Sequence, residues 1–254
     1  MGASRVIDIG TLRQRCDQCT LQQLCLAGGM SEADVEKLEG LVKRRRALAR
    51  GEALYHAGTP LQALYVAREG AFKTTSLGEH GDEQVIGFHL PGELIGLDGL
   101  GQGRHRCSTQ ALEPAQICEV PFSDLEHVAA QIPALQHQLL RIMGQSMGRD
   151  QDHLEMLGRR HATERVALFL HTLSERLRAL SRPSLEFSLA MSREEIASYL
   201  GLVIETVSRT FSRLQDDGVI EIKGRRVRIK DPASLTQLVH EGDERRSARA
   251  SSQG

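Results

Sequence analysis

The sequence predicts an α+β protein with an N-terminal antiparallel β-roll of the jelly-roll kind, a long dimerisation helix and a C-terminal winged helix-turn-helix. Three observations predict this order. Short apolar stretches separated by turn residues fill residues 47–120, a helical pattern follows Pro133, and residues 191–215 have the pattern of two short helices joined by a turn. The predicted divisions are an arm at 1–30, the roll at 31–132, the long helix at 133–160, the winged domain at 161–240 and a disordered tail at 241–254.

The helix-turn-helix prediction depends on local signals. Ser192 followed by Glu195 forms a capping box, which places a helix start near Arg193. Gly201 then supplies the permissive backbone that a tight turn needs. An apolar stripe at intervals of three and four would pack the second helix on the first, and it consists of Ile204, Val207, Phe211 and Leu214. An ordinary amphipathic helix pair would show the same pattern.

The opposite face of the second helix is polar. Its hydrogen-bonding side chains follow helical spacing, and they are Glu205, Ser208, Arg209 and Ser212. An arginine can bind guanine O6 and N7 together, and a glutamate can accept from cytosine N4. This row is therefore typical of a helix that contacts bases in the DNA major groove.

A basic hairpin follows the second helix. Residues 219–222 and 226–229 alternate as two short strands joined by a turn, which is typical of a wing. Its cations are Lys223, Arg225, Arg226, Arg228 and Lys230. Cations beside a recognition helix lie where DNA phosphates would be, so Arg226 is predicted to contact phosphate. A merely solvated hairpin is the alternative.

Length and composition are those of an ordinary soluble protein. The 254 residues leave room for two domains, 40% of them are hydrophobic, and there is no tryptophan. The net charge of −1 excludes little, because a DNA-binding protein can concentrate its cations in one region. The sequence has no signal-peptide pattern and no apolar run close to a membrane span, so a cytoplasmic protein without membrane contact is expected.

Three of the five cysteines, Cys16, Cys19 and Cys25, crowd into the first thirty residues. In a reducing compartment such crowding favours metal binding or redox chemistry over disulfides. Soft thiolates suit zinc or an iron–sulfur cluster, and a fourth ligand would come from Cys107 or Cys118. The C-x2-C-x5-C spacing matches neither common ferredoxin patterns nor usual zinc fingers, so it leaves the metal open. Thiols in a mobile arm, without a metal, are the alternative.

The helix predicted from Pro133 carries a heptad seam, with successive spacings of three and four: Leu140, Met143, Met147, Asp150, Leu154 and Leu157. A self-paired dimer helix explains the seam, because helix-turn-helix proteins usually read two half-sites symmetrically. Packing against the roll is the alternative. Since a twofold axis would bring two Asp150 carboxylates together, Met147 and Asp150 are predicted to form a dimer switch.

Two elements connect the long helix to the helix-turn-helix. A helix is predicted from Thr163 to about Ala179, and its apolar face consists of Val166, Phe169, Leu170 and Leu173. A strand at residues 185–189 follows the break at Pro183.

The order of these parts resembles the cAMP-receptor-protein superfamily, and the FNR branch in particular. The similarity runs from about Cys16 to Val239 and includes GDEQVIGFH at 81–89, GRDQD at 148–152 and LGLVIETVSR at 200–209. FNR-type proteins are oxygen-responsive regulators of anaerobic gene expression that hold an oxygen-labile [4Fe–4S] cluster, dimerise with it and bind TTGAT-like inverted repeats. The resemblance implies a homodimer whose partners are double-stranded operator DNA and RNA polymerase.

The family's functional residues transfer to matching positions of this sequence. The cluster ligands fall on Cys16, Cys19, Cys25 and Cys118, and the base-reading residues on Glu205, Ser208 and Arg209. Cys107 stands where the family needs no cysteine. Val203 is a departure, since the family commonly has Thr or Ser there to cap the recognition helix, and a lost cap costs about 1 kcal/mol.

Two other functions compete with this interpretation. A regulator that responds to a cyclic nucleotide or another small ligand would need a phosphate-binding cassette in the roll, for which Arg106 and Ser108 are the tempting residues and Gly92-Glu93 is weak support. A zinc-dependent or redox enzyme would need a catalytic constellation beside the cysteines, and the histidines are scattered. The sequence therefore favours a regulator that is not an enzyme.

Overall fold

The computed structural model describes residues 16, 19, 21, 25–42, 44–78, 81–159 and 161–239. The predicted tail at 241–254 and most of the 1–30 arm lie outside the described residues. The structure confirms the α+β class, since a β-roll is followed by a long helix and a winged domain.

An antiparallel β-roll forms the N-terminal domain. After helix α1 (Glu32–Leu41) come strands β1 (Arg44–Leu48), β2 (Ala53–Tyr55), β3 (Ala63–Glu69), β4 (Phe72–Leu77), β5 (Glu83–His89), β6 (Leu94–Ile95), β7 (Ser108–Ala111) and β8 (Ala115–Pro121). They form two four-stranded sheets, ordered β1-β8-β3-β6 and β2-β7-β4-β5. Successive side chains of a strand point to opposite faces, so each sheet contributes one face to a shared interior. Ala67, Phe72 and Ile117 lie there, each 0% exposed.

Three helices connect the roll to the winged domain: α2 (Phe122–Ala129), α3 (Pro133–Gly158) and α4 (Ala162–Ala179). Helix α3 has two apolar faces. One face packs Leu135 and Ile142 against the outer surface of the sheet that contains β3 and β8. The other face carries the predicted seam, of which Leu140, Met147 and Leu154 are exposed. Met143, Met147 and Asp150 border a cavity between α3 and the roll, so the roll covers the seam only in part.

The winged domain contains β9 (Glu186–Ser188), α5 (Arg193–Leu200), α6 (Ile204–Asp216), β10 (Ile220–Lys223), β11 (Arg226–Ile229) and a last helix, α7, at 232–239. The capping box of Ser192 and Glu195 is present, and Gly201 ends α5 in the left-handed region with φ 60°. Val207, Phe211 and Leu214 are buried as predicted. Ile204 was wrongly placed in that stripe, since at the first turn of α6 it remains 41% exposed.

Within the part of the chain that the structure describes, no helix combines the length and apolarity that crossing a membrane requires.

Candidate cysteine site and nucleic-acid interface

Four thiols line one small, mostly apolar cavity, here called the cysteine cavity: Cys16, Cys19, Cys25 and Cys118. The wall between them is formed by aliphatic side chains such as Val66 and Val120 from the roll and Leu38 from α1. Three of the thiols come from the N-terminal segment and one comes from a strand of the roll, so the cavity joins residues about a hundred positions apart in the chain.

Three of the four cysteines are held by different parts of the fold. Cys118 lies on β8 opposite Val66 of β3, so the sheet fixes its position. The carbonyl of Cys25 accepts a hydrogen bond of 2.7 Å from Nε2 of Gln138 on α3. The backbone N–H of Cys16 donates to Oε2 of Glu39 on α1, at 3.3 Å. The cysteine segment is therefore tied directly to the long helix.

Burial controls the protonation of Cys25. Desolvation raises its thiol pKa to about 12, and the neighbouring thiols of Cys19, Cys16 and Cys118 add to that increase. Because a metal or cluster binds the thiolate, ligand binding at this position has to displace a proton. The site therefore suits a ligand that binds sulfur strongly.

The arrangement of the thiols bears on the kind of metal group that they could hold. No three Cys, His, Asp or Glu side chains of the described residues converge closely enough to hold one metal ion. Zinc would need all its sulfur ligands within about 2.3 Å. A four-iron cluster instead takes one thiolate at each iron, so its ligands stand further apart. The number of thiols around the cavity is the number of ligands that a four-iron cluster takes.

Cys107 lies elsewhere. Its backbone N–H donates to Oδ2 of Asp98 at 3.1 Å, and its side chain lines a second cavity of about 340 Å³ between the roll and α3. It does not line the cysteine cavity. Of the two fourth-ligand candidates, Cys118 is the one that the fold brings to the other three thiols.

The second cavity is a poor phosphate site. Its described lining includes the carboxylates Asp98 and Asp150 and contains no lysine or arginine. Burial lowers the pKa of the lining residue His89 to about 4, so that ring is neutral at neutral pH. Arg106 is exposed and lies outside the lining. The described lining would therefore present negative charge and no cation to a cyclic nucleotide.

Glu93 has a different partner. Its carboxylate pairs with the guanidinium of Arg176 on α4, at 2.8 Å, and Arg176 also donates to the Phe88 carbonyl at 2.6 Å. This pairing holds the pKa of Glu93 below its usual value even though burial opposes it. The ion pair between Glu93 and Arg176 thus connects the roll to α4, and the Glu93 carboxylate is not available to a ligand.

The seam of α3 is exposed. Leu140, Met147 and Leu154 are 61%, 63% and 69% exposed, and Met143 is 37% exposed. Large apolar side chains left in a row on a helix mark a surface that another molecule covers. Asp150 interrupts this row, and partial burial raises its carboxyl pKa.

The polar row on α6 is exposed along its whole length. It comprises Glu205, Ser208, Arg209 and Ser212. Arg209 is exposed and donates a long hydrogen bond of 3.3 Å to Oγ1 of Thr206. This row is called the reading face. Because it is exposed, no helix or strand has to move before it can enter the major groove of DNA.

Val203 occupies the N-cap of α6 and provides no side-chain hydrogen bond. Its backbone is extended and its side chain is 62% exposed, so a hydroxyl there would reach the orphaned N–H groups of the first turn. We expect Val203→Thr to raise the free energy of unfolding by about 1 kcal/mol, measured by denaturant titration. Val203→Ala is the control, and an equal gain in that variant would show that capping is not the cause.

Three of the five wing cations, Lys223, Arg226 and Arg228, are already paired with acids. Glu186 of β9 pairs with both Arg226 and Arg228, at 2.6 Å for Arg228, and Glu221 pairs with Lys223 at 2.7 Å. All of these side chains remain on the surface. Contact with a phosphate would therefore compete with these carboxylates, which the sequence analysis did not foresee.

The first helix of the helix-turn-helix is docked on the roll. Oε1 of Glu195 pairs with Nζ of Lys73 on β4 at 3.0 Å, while its Oε2 accepts from the Ser192 backbone N–H at 2.7 Å. The Ser198 hydroxyl accepts from the N–H of Val85 on β5 at 2.8 Å. One carboxylate thus serves both the helix cap and the contact with the roll. Sequence reasoning recognised Glu195 as a cap only, because the partner lies far away in the chain.

Two family models match the chain. The Crp-like helix-turn-helix domain matches residues 164–238, and the cyclic nucleotide-binding domain matches residues 45–131.

Curated relatives and solved structures extend the similarity over most of the chain. The transcriptional activator protein Anr of Pseudomonas protegens is 44% identical over 223 residues, which is 88% of this chain and 91% of the relative. The fumarate and nitrate reduction regulatory protein of Escherichia coli is 37% identical over 234 residues, 92% of this chain and 94% of the relative. The structure of FixK2 from Bradyrhizobium japonicum matches with a TM-score of 0.70 and 31% identity, covering 77% of this chain and 96% of that one.

Proposed function

The chain belongs to the CRP/FNR family of transcription regulators, and on that basis we propose that it senses oxygen through a [4Fe–4S] cluster and controls anaerobic gene expression. Like these relatives, it is a transcription regulator and not an enzyme. The cluster ligands in this proposal are Cys16, Cys19, Cys25 and Cys118. The observation that carries it is the convergence of these thiols on one cavity between the N-terminal segment and the roll.

The protein residues link this cavity to DNA in three steps. A bound cluster would supply oxygen-sensitive iron chemistry and join the N-terminal segment to β8. Gln138 connects that segment to α3, whose exposed seam forms the homodimer in this proposal. The dimer then presents two reading faces to a TTGAT-like inverted repeat of double-stranded DNA in the cytoplasm, where RNA polymerase is the expected partner.

Anaerobic purification followed by iron and acid-labile sulfide analysis tests this proposal. We expect iron and sulfide in equal amounts, their loss in air, and operator binding only by the loaded protein. A protein that contains neither iron nor sulfide after anaerobic purification and reconstitution would contradict it.

A cyclic-nucleotide response is less well supported. The cavity at the expected place is acidic, and Glu93 is paired with Arg176. Titration of the cluster-free protein with cyclic nucleotides should give no saturable binding, and tight binding would favour this alternative instead.

Base reading is assigned to Arg209 and phosphate contact to Arg226. Arg209→Ala should cost about 1–3 kcal/mol of discrimination at one base pair per half-site. Arg226→Ala should weaken specific and random DNA alike and reduce the salt dependence of binding, because a phosphate contact carries no sequence information. Binding to operator and single-base variants at several salt concentrations measures both effects, and reversed results would exchange the two roles.

A further inference from the structure

The described lining of the cysteine cavity contains one cationic side chain, Arg68 on β3. The other described lining groups are the four thiols and aliphatic side chains. Arg68 is half-buried, and a guanidinium keeps its charge at any ordinary pH. The wall therefore places one guanidinium beside the four thiols.

The fold directs Arg68 to this side of the sheet. Val66 lies opposite Cys118 in the β3–β8 register, and both side chains line the cavity. Ala67 points into the roll interior and is 0% exposed, so alternation returns Arg68 to the cavity face. The register shifts between Ala67 and Glu69, which places Arg68 at a β-bulge. Bulges commonly re-aim a side chain beside a functional site.

We propose that Arg68 sets the oxygen sensitivity of the site by holding a positive charge against the bound cluster. The inference rests on the proposed function. Four thiolates outweigh the positive charge of the iron–sulfur core, so the bound cluster is an anion, and its reduction potential depends on the charge around it. Transfer of one electron from a bound cluster to oxygen, which would form superoxide, would leave the cluster less negative. A neighbouring cation stabilises the more negative state, so Arg68 slows this electron loss.

The test compares Arg68→Met, which removes the charge and keeps an apolar stem, with Arg68→Lys, which keeps the charge. Arg104→Met is the matched control, because Arg104 is a cation of the roll that donates to the Gly58 carbonyl at 2.8 Å and does not line the cysteine cavity. Anaerobically loaded proteins are mixed with aerated buffer, and the visible absorbance of the cluster and the released iron are followed. Arg68→Met should lose its cluster about tenfold faster than wild type, while the other two variants decay at the wild-type rate.

Each outcome decides the proposal. Equal decay of Arg68→Met and wild type overturns it. If Arg68→Met does not load a cluster, its iron and sulfide content is compared with that of Arg68→Lys. A cluster in Arg68→Lys but not in Arg68→Met supports the role of the positive charge. Failure of both variants, with cluster-free proteins that unfold at the wild-type temperature, assigns Arg68 a shape requirement and overturns the proposal. A wild-type protein without iron and sulfide contradicts the proposed function itself, which none of the other results does.

Discussion

Cys118→Ser should abolish cluster binding, whereas Cys107→Ser should leave it intact. Cys118 lies on β8 and faces the three N-terminal thiols across the cysteine cavity, and Cys107 lines the separate cavity beside Asp98. A [4Fe–4S] cluster needs four protein ligands, so removing one thiolate leaves an iron exposed and the cluster unstable. Iron and sulfide content after anaerobic purification should fall to background in Cys118→Ser and match wild type in Cys107→Ser.

The two substitutions are a matched pair, since both replace a partly buried thiol of the roll by a hydroxyl. Thermal unfolding of the cluster-free proteins controls for general damage to the roll. A Cys118→Ser protein that keeps its full iron content, or a Cys107→Ser protein that loses it, would require a different fourth ligand.

The sequence predicts local features of this fold well, because their causes are local. The capping box at Ser192, the turn at Gly201 and the apolar stripe of α6 each depend on residues within one or two helical turns. The jelly-roll prediction needed only short apolar stretches separated by turn residues. The helices α1 and α2 were not predicted separately, since each is short and lies beside strands in the chain.

Long-range contacts set the limit of that prediction. Spacing alone left Cys107 and Cys118 equal as the fourth ligand, because the choice depends on which strand lies under the N-terminal segment. The resemblance selected Cys118, and the cavity agrees with it. Arg68 was not singled out, since a β-bulge leaves no signal in the residues themselves. The acid that pairs with the wing arginines was missed because the contact is long-range: Glu186 lies forty residues from Arg226 in the chain.

The seam of α3 combines a local pattern that the sequence predicts with a long-range contact that the sequence leaves open. Periodicity identified Leu140, Met147 and Leu154 as a stripe but left open whether the roll or a second copy covers it. In the structure another face of α3 packs on the roll, and Leu140, Met147 and Leu154 remain exposed. That a second copy of the chain covers them stays a prediction. Gln138 belongs to the buried face of α3, and its side-chain amide donates a hydrogen bond to the Cys25 carbonyl.

Asp150→Ala should make the cluster-free protein dimerise and bind its operator in air. Asp150 is the acidic interruption of the seam, and desolvation by the neighbouring side chains raises the pKa of its carboxyl. Two carboxylates about 4 Å apart across a twofold axis would repel by roughly 1 to 4 kcal/mol. Removing them should strengthen dimerisation about fivefold to roughly a thousandfold. In wild type the bound cluster has to supply that free energy, through the contact of Cys25 with α3.

Sedimentation of the aerobic, iron-free variants measures this effect. Asp152→Ala is the control, because Asp152 is an exposed carboxylate two residues further along α3 and outside the seam. It should remain as monomeric as wild type, which separates repulsion at the seam from a general change in helix charge or propensity. If Asp150→Ala also sediments as a monomer, its carboxylate does not oppose the dimer. The cluster would then have to act by reshaping α3 itself, through the hydrogen bond between Gln138 and Cys25.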